Sequence, residues 1–336
     1  MIKHNRLTLG QEEVDAAGNS IRSGWLAQGE EVHHFENEVC EFLGLPQGHA
    51  VALSSGTASL YLALWSLEAQ HKTVTLPVYS CSALRNAVCL VGAAEYLIDT
   101  EIESPNVCLS SLEHSRADIA IIPHMFGIPS NLGAIEKIDI IEDCAQSIGA
   151  LVNKVRVGLQ GKLGVFSFFA TKLITSGGQG GMVVSGDSKL IDAIRDYREF
   201  DYRNDGQCRF NFQMTDMQAA IGRVQLRKLP YFLQQRSDIF EQYQSAGLPL
   251  LDSDIGGSVR YRAIIQTDRA VHIKNELLQR HIQTIVPIED RELLDRDWIV
   301  YKNAYNWTQN TLSLPIYPSL SKDEVAYIIS SLKEVI

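Results

Sequence analysis

The 336-residue sequence has no CxxC pair, no GxGxxG or Walker motif, no internal repeat, and no apolar run of the roughly 18 residues a bilayer-spanning helix needs. Each absence removes a class of function. The six cysteines, Cys40, Cys81, Cys89, Cys108, Cys144 and Cys208, are scattered without metal-ligand spacing. Reduced thiols, mostly buried, are expected in place of a disulfide framework or a metal centre. Lys and Arg total 30 against 40 Asp and Glu, a net charge of -10, and no basic cluster supplies the phosphate contacts that nucleic acid requires. The opening MIKHNRLTLGQEE lacks an apolar core of signal-peptide length, so a cytoplasmic protein without membrane association is expected. What is present is 45% hydrophobic content, enough for a sizeable core and about two domains.

The first forty residues read as two amphipathic helices separated by a turn at Gly24 to Leu26. Strand and helix patterns then alternate: HAVALSSGTASLYLALWSL, KTVTLPVYS, CSALRNAVCLVG, AAEYLIDT, DIAIIPHMFG and IDIIEDCAQS. Such alternation predicts an α/β fold, a mostly parallel sheet sandwiched by helices, with its chemistry at the C-terminal strand ends. A long amphipathic pattern follows and is expected to break at Pro230. The chain is therefore divided into a large ligand-binding domain, 1–230, and a smaller C-terminal α+β domain, 231–336.

Three local features carry chemistry. In VFSFFATKLITSGGQGGMVV, Lys172 is the one charge at the end of an apolar strand, followed by a glycine cluster interrupted by Gln179. An amine drawn out of water can attack a carbonyl, although a lysine snorkelling at the rim of a core strand gives the same pattern. The glycines would let backbone approach a ligand or adopt unusual angles. Ser54, Ser55, Gly56 and Thr57 lie between strand and helix, where free N–H groups suit a phosphate or a plain N-cap. Glu142 and Asp143 end another strand, so at least one carboxylate should reach the ligand edge, with Gln146 three residues on; a helix cap is the alternative. A phosphate turn, a strand-end acid and an apolar-strand lysine together match the needs of pyridoxal phosphate.

SSGTASL, IIEDCAQSIGA, FSFFATK with GGQGGMVVS, FNFQMTDMQAAIGRVQL and SLPIYPSLS resemble the successive motifs of the DegT/DnrJ/EryC1/StrS aminotransferases, fold-type I enzymes that use pyridoxal phosphate. The segment SGWLAQGEEVHHFE is similar as well, while residues 244 to 311 match poorly. The resemblance implies that Lys172 bonds the cofactor and moves the proton at the donor's α-carbon. It implies that Asp143 pairs with the pyridine nitrogen and Gln146 lies near the phenolic oxygen. Gly56, Thr57 and Ser167 would hold the phosphate, and Asn211 would reach the phosphate of a neighbouring subunit, making a homodimer with shared sites. His124 is a candidate on the substrate side, with a strand-end structural role as its alternative.

The sequence departs from that pattern in places. Cys81 stands where an aromatic residue usually stacks on the pyridine ring, so the thiol, Tyr79 or another aromatic would take that place. Gln179 and Gln213 stand for a usual glutamate and arginine. The expected reaction is transfer of an amino group from L-glutamate to a keto-sugar, nucleotide-linked and of 4-keto or 3-keto-6-deoxy type. A non-nucleotide cyclitol or antibiotic-precursor ketone is the enzymatic alternative, and a non-catalytic binding or regulatory protein the other.

Overall fold

The computed structural model describes residues 1–133, 135–253 and 255–336. Two helices open the chain, α1 (Gln11–Ser23) and α2 (Glu30–Leu43), each closed by a left-handed glycine, Gly24 and Gly44. The alternating segment follows as β1 (Ala50–Leu53), α3 (Gly56–Ser66), β2 (Thr73–Pro77), α4 (Ser82–Val91), β3 (Ala94–Ile98), α5 (Leu109–His114), β4 (Ile119–Pro123) and β5 (Asp139–Asp143). A two-residue ribbon, β6 (Leu151–Val152) and β7 (Val155–Arg156), precedes β8 (Leu163–Ser167) and β9 (Gly181–Val184). Then come α6 (Ser188–Arg198), α7 (Asp216–Ser245), β10 (Ala263–Gln266), α8 (Ala270–Gln279), α9 (Lys302–Gln309), β11 (Thr311–Leu314) and α10 (Lys322–Lys333).

The main sheet has the order β1-β9-β8-β5-β4-β2-β3, and β9 runs antiparallel to both of its neighbours while the other pairs are parallel. Strand residues alternate between two cores. Val51, Leu53, Ile141, Val165 and Val183 pack under α3, α4 and α6, whereas Ala50, Ala52, Phe166, Met182 and Val184 pack against α2 and α7. Both faces are thereby buried, which is why these strands are apolar throughout. The C-terminal ends of the parallel strands share one edge, where the turn Ser54–Thr57, Cys81, His124, Asp143 and Ser167 all emerge.

Pro230 does not break the helix. α7 runs unbroken for 30 residues, so the boundary expected between 230 and 231 falls inside it. Proline removes one backbone hydrogen bond, a cost of about 3 kcal/mol. Burial along both halves offsets it: Ala219, Leu226, Leu229 and Phe232 pack in the core shared with α2, and Ile239, Phe240 and Tyr243 pack in a further cluster beyond the proline. A separate apolar cluster joins the far end of α7 to β10, α8, β11 and α10, and it includes Ile2, whose backbone pairs with Ile282. The N-terminal residues thus pack onto the C-terminal elements. None of the helices among the described residues is long and apolar enough to cross a membrane.

Candidate active site

One cavity of about 210 Å³ opens at the shared strand edge, lined by Ser55, Gly56, Thr57, Cys81, His124, Asp143, Gln146, Ser167, Phe169, Lys172 and Gln179 among others. Of the residues that the resemblance assigns to the cofactor or the substrate, Gly56, Thr57, Cys81, His124, Asp143, Gln146, Ser167 and Lys172 line this wall and Asn211 does not. It sits on an exposed segment before α7, where its Oδ1 accepts the Gln213 N–H at 3.0 Å.

The turn after β1 combines a helix cap with unspent backbone donors. Ser55 Oγ caps α3 by accepting the Ala58 N–H at 3.1 Å, while the N–H groups of Gly56 and Thr57 have no acceptor among the described residues. Free N–H groups at the positive end of a helix dipole suit an anion. A Cβ on Gly56 would lie 3.0 Å from the Ser167 Cβ, so the turn and the end of β8 are packed as one cradle.

Lys172 is not at a strand end. β8 stops at Ser167, and the chain folds back through residues 168–180 with Phe168 N–H donating to Gly180 O at 2.9 Å and Ala170 N–H to Gly178 O at 3.1 Å. This loop leaves the sheet before Lys172 and carries the amine, half-buried, over the cavity. The left-handed angles of Gly177 and Gly178 (φ 71° and 126°) turn it. Gly181 is small for another reason: a Cβ there would lie 2.3 Å from the Ser55 carbonyl oxygen. The close approach at Gly181 is to the backbone of the turn Ser54–Thr57, whereas the sequence led to the expectation of an approach to a ligand.

The alternation of β5 separates its two acids. Asp143 shares the face of Ile141 and enters the cavity; its Oδ1 accepts one N–H, from Ala145 at 3.0 Å. Burial pushes its carboxyl above the ordinary range, opposed by that N–H and by the charge of Lys172. Glu142 points the other way, accepting N–H groups of Gly158 at 2.9 Å, Gln160 at 2.6 Å and Gly161 at 2.8 Å, together with His124 Nε2 at 2.9 Å. Against burial, which would raise it, His124 and these amides hold Glu142 below the usual carboxylate pKa. Replacing Glu142 with Ala would strand those buried donors, and a loss of about 3–5 kcal/mol in unfolding free energy is expected from denaturant melts.

His124 is engaged on both sides, since its Nδ1 accepts the Ser130 N–H at 3.0 Å and Nε2 meets Glu142. No ring nitrogen is left for a substrate, so the structural alternative describes this residue. His124, Glu142 and Cys144 come within 4.8 Å of one another, yet Glu142 and His124 spend their ligand atoms on these hydrogen bonds. Tyr79 does not replace the ring-stacking aromatic either. It is fully buried, edge-on to Phe126 at 6.2 Å, outside the cavity wall. Cys81 presents the exposed thiol there, and Phe169, unremarked in the sequence, supplies an aromatic wall. Gln146 Oε1 accepts the Phe126 N–H at 2.8 Å, which fixes the amide with its NH₂ group unspent.

These residues fit pyridoxal phosphate. Asp143 is a buried carboxylate with one oxygen that has no hydrogen-bond partner among the described residues, suited to a protonated ring nitrogen, and the Gly56–Thr57 cradle has free donors for a phosphate. Sequence and structural comparisons agree. The chain is 28% identical over 375 aligned positions to the spore coat polysaccharide biosynthesis protein SpsC of Bacillus subtilis, covering 98% of this chain and 95% of that protein. It is 29% identical to the GDP-perosamine synthase of Vibrio cholerae over 365 positions, covering 97% and 96%. The fold matches the PMP form of the putative sugar aminotransferase Spr1654 from Streptococcus pneumoniae with a TM-score of 0.91, at 23% identity and covering 100% of this chain and 99% of that one. With the family model matching residues 7–333, the chain belongs to the DegT/DnrJ/EryC1/StrS aminotransferase family and is a pyridoxal phosphate-dependent sugar aminotransferase.

Proposed function

We propose that the enzyme moves the amino group of L-glutamate to a nucleotide-linked keto-sugar, working as a homodimer with shared sites. The observation that carries the reading is the convergence of Lys172, Asp143 and the Gly56–Thr57 cradle on one cavity. Pyridoxal phosphate, when bound, supplies an aldehyde for the amine and a ring that accepts electrons. Gly56 and Thr57 N–H groups with the Ser167 hydroxyl would hold its phosphate, Asp143 would keep its ring nitrogen protonated, and the Gln146 amide would donate to its phenolic oxygen. Lys172 then takes the proton from the donor α-carbon and later returns one to the acceptor carbon. A further cavity of about 490 Å³ shares Cys81 and Gln146 with the first and is also lined by Ser80, Ser82, Arg85 and Arg291, which suits the acceptor. The two relatives named above act in polysaccharide or nucleotide-sugar chemistry by their names, which supports a nucleotide-linked substrate.

Incubation with pyridoxal phosphate is expected to give a visible absorbance band that L-glutamate bleaches and a nucleotide keto-sugar restores. No band in the wild type would sink the reading, and restoration by a free cyclitol ketone alone would select the non-nucleotide acceptor. Asn211 tests the dimer. Mixed Lys172→Ala and Asn211→Ala subunits should recover activity through one intact composite site; no recovery despite subunit exchange would count against sharing.

A further inference from the structure

Beside Lys172 the C-terminal elements place an uncompensated positive cluster. Tyr261 donates its hydroxyl to the Thr171 carbonyl at 3.3 Å, and the Lys172 Nζ lies 5.9 Å from its ring centre. The Arg262 guanidinium lies 5.3 Å from the centre of the same ring. Behind them, buried Arg236 directs Nη1 at the carbonyls of Arg260, Tyr261 and Ile316, at 3.3, 3.2 and 2.9 Å. Neither guanidinium pairs with a carboxylate among the described residues, and the Nε of each is sealed from solvent without a partner.

Other groups near the cluster do not neutralise it. Arg262 Nη1 lies 3.4 Å from His4 Nε2, and burial together with Arg262 and Arg236 drives His4 down to about 3, so that imidazole is neutral. Burial of the Tyr261 phenol would raise its pKa, yet Lys172, Arg262 and Arg236 hold it below its ordinary value, a measure of the local positive potential. Two guanidinium groups gathered without an acid are costly unless an anion joins them. Arg262 is also tied to the cavity wall: its N–H donates to the Phe126 carbonyl at 3.3 Å, and Phe126 in turn is held by Gln146.

We propose that Arg262, supported by Arg236 and Tyr261, receives a carboxylate of the amino donor. This rests on the aminotransferase reading above and names its donor site. A carboxylate is favoured over an acceptor phosphate by position. The donor's reacting carbon must come to Lys172 with its carboxylates attached, whereas a nucleotide phosphate lies a sugar ring away from the carbon aminated. The planar guanidinium offers such a group two parallel N–H donors.

Glutarate, a dicarboxylate with no amine to transfer, is the probe. Calorimetric titration into the pyridoxal phosphate-loaded enzyme should show binding weakened roughly 100-fold in Arg262→Gln and roughly 10-fold in Arg262→Lys, the scale of a lost charge-assisted pair. The KM for L-glutamate should rise in step while the KM for the keto-sugar stays unchanged. Wild-type glutarate affinity in a folded Arg262→Gln or Arg262→Lys protein would overturn the assignment, as would a rise confined to the keto-sugar KM. Should Arg262→Gln fail to fold, Arg262→Lys decides alone. Absence of the visible band in the wild type would instead reject the aminotransferase reading itself, so the two failures are distinguishable.

Discussion

Lys172→Ala is expected to lower turnover by roughly 10⁴-fold, the upper end of what a positioned acid–base group contributes. It should also lose the visible absorbance band that pyridoxal phosphate gives the wild type. The size follows from the position of the amine. The loop 168–180 is held to itself by Phe168, Ala170 and Ser176 backbone bonds, and Thr171 O is clamped by Asn5 Nδ2 and the Tyr261 hydroxyl, both at 3.3 Å. Lys172 is therefore presented by a fixed backbone, and no other lysine lines the cavity. Lys172→Arg should not rescue turnover, because a guanidinium stays protonated and cannot take the proton from carbon. Single-turnover kinetics with L-glutamate checks both variants, and a Lys172→Ala protein within ten-fold of wild type would refute the role.

Asp143→Asn is expected to reduce the rate of donor deamination by about 10²–10³-fold, since an amide cannot hold the proton on the ring nitrogen as a carboxylate does. The same substitution should make the cofactor-free protein more stable at neutral pH. Burial raises the folded pKa of Asp143 above its unfolded value of about 3.9. Its contribution to stability is thus complete below the unfolded pKa and is lost as pH rises through the raised folded pKa, where the buried group must ionise. Asn avoids that cost. Thermal melts of cofactor-free wild type and Asp143→Asn across pH should diverge as pH increases, with the variant melting higher at neutral pH. Equal melting temperatures at neutral pH would contradict the account, as would full activity of the variant. Together the two readouts describe a group kept at a cost in stability for its function.

The features legible in the sequence were local ones. Ser55–Thr57 could be read as a phosphate turn because strand, turn and helix are adjacent in the chain, and the anion preference belongs to any such helix start. Asp143 could be placed at a strand end because the apolar run Ile138 to Ile141 precedes it. Lys172 was recognisable as the one charge in an apolar segment, but not its place: whether β8 continues or leaves the sheet depends on Gly180 and Gly178 folding back onto Phe168 and Ala170. Pro230 misled for a similar reason, since the packing that carries α7 through it comes from elements on either side.

Composition, alternation and motif order by themselves determined an α/β chain with a phosphate turn, a strand-end acid and an amine, and that much is chemistry held within short windows of sequence. Tertiary structure decided which of those groups are free to act. His124 and Glu142, 18 residues apart, satisfy each other, and Asp143 is the carboxylate of the pair that lines the cavity, because successive strand residues face opposite sides of the sheet. Tyr261 meets Thr171 across 90 residues and brings to the side of Lys172 two guanidinium groups that have no carboxylate partner among the described residues. No periodicity encodes such a meeting, since it depends on how the C-terminal elements seat against the cavity wall.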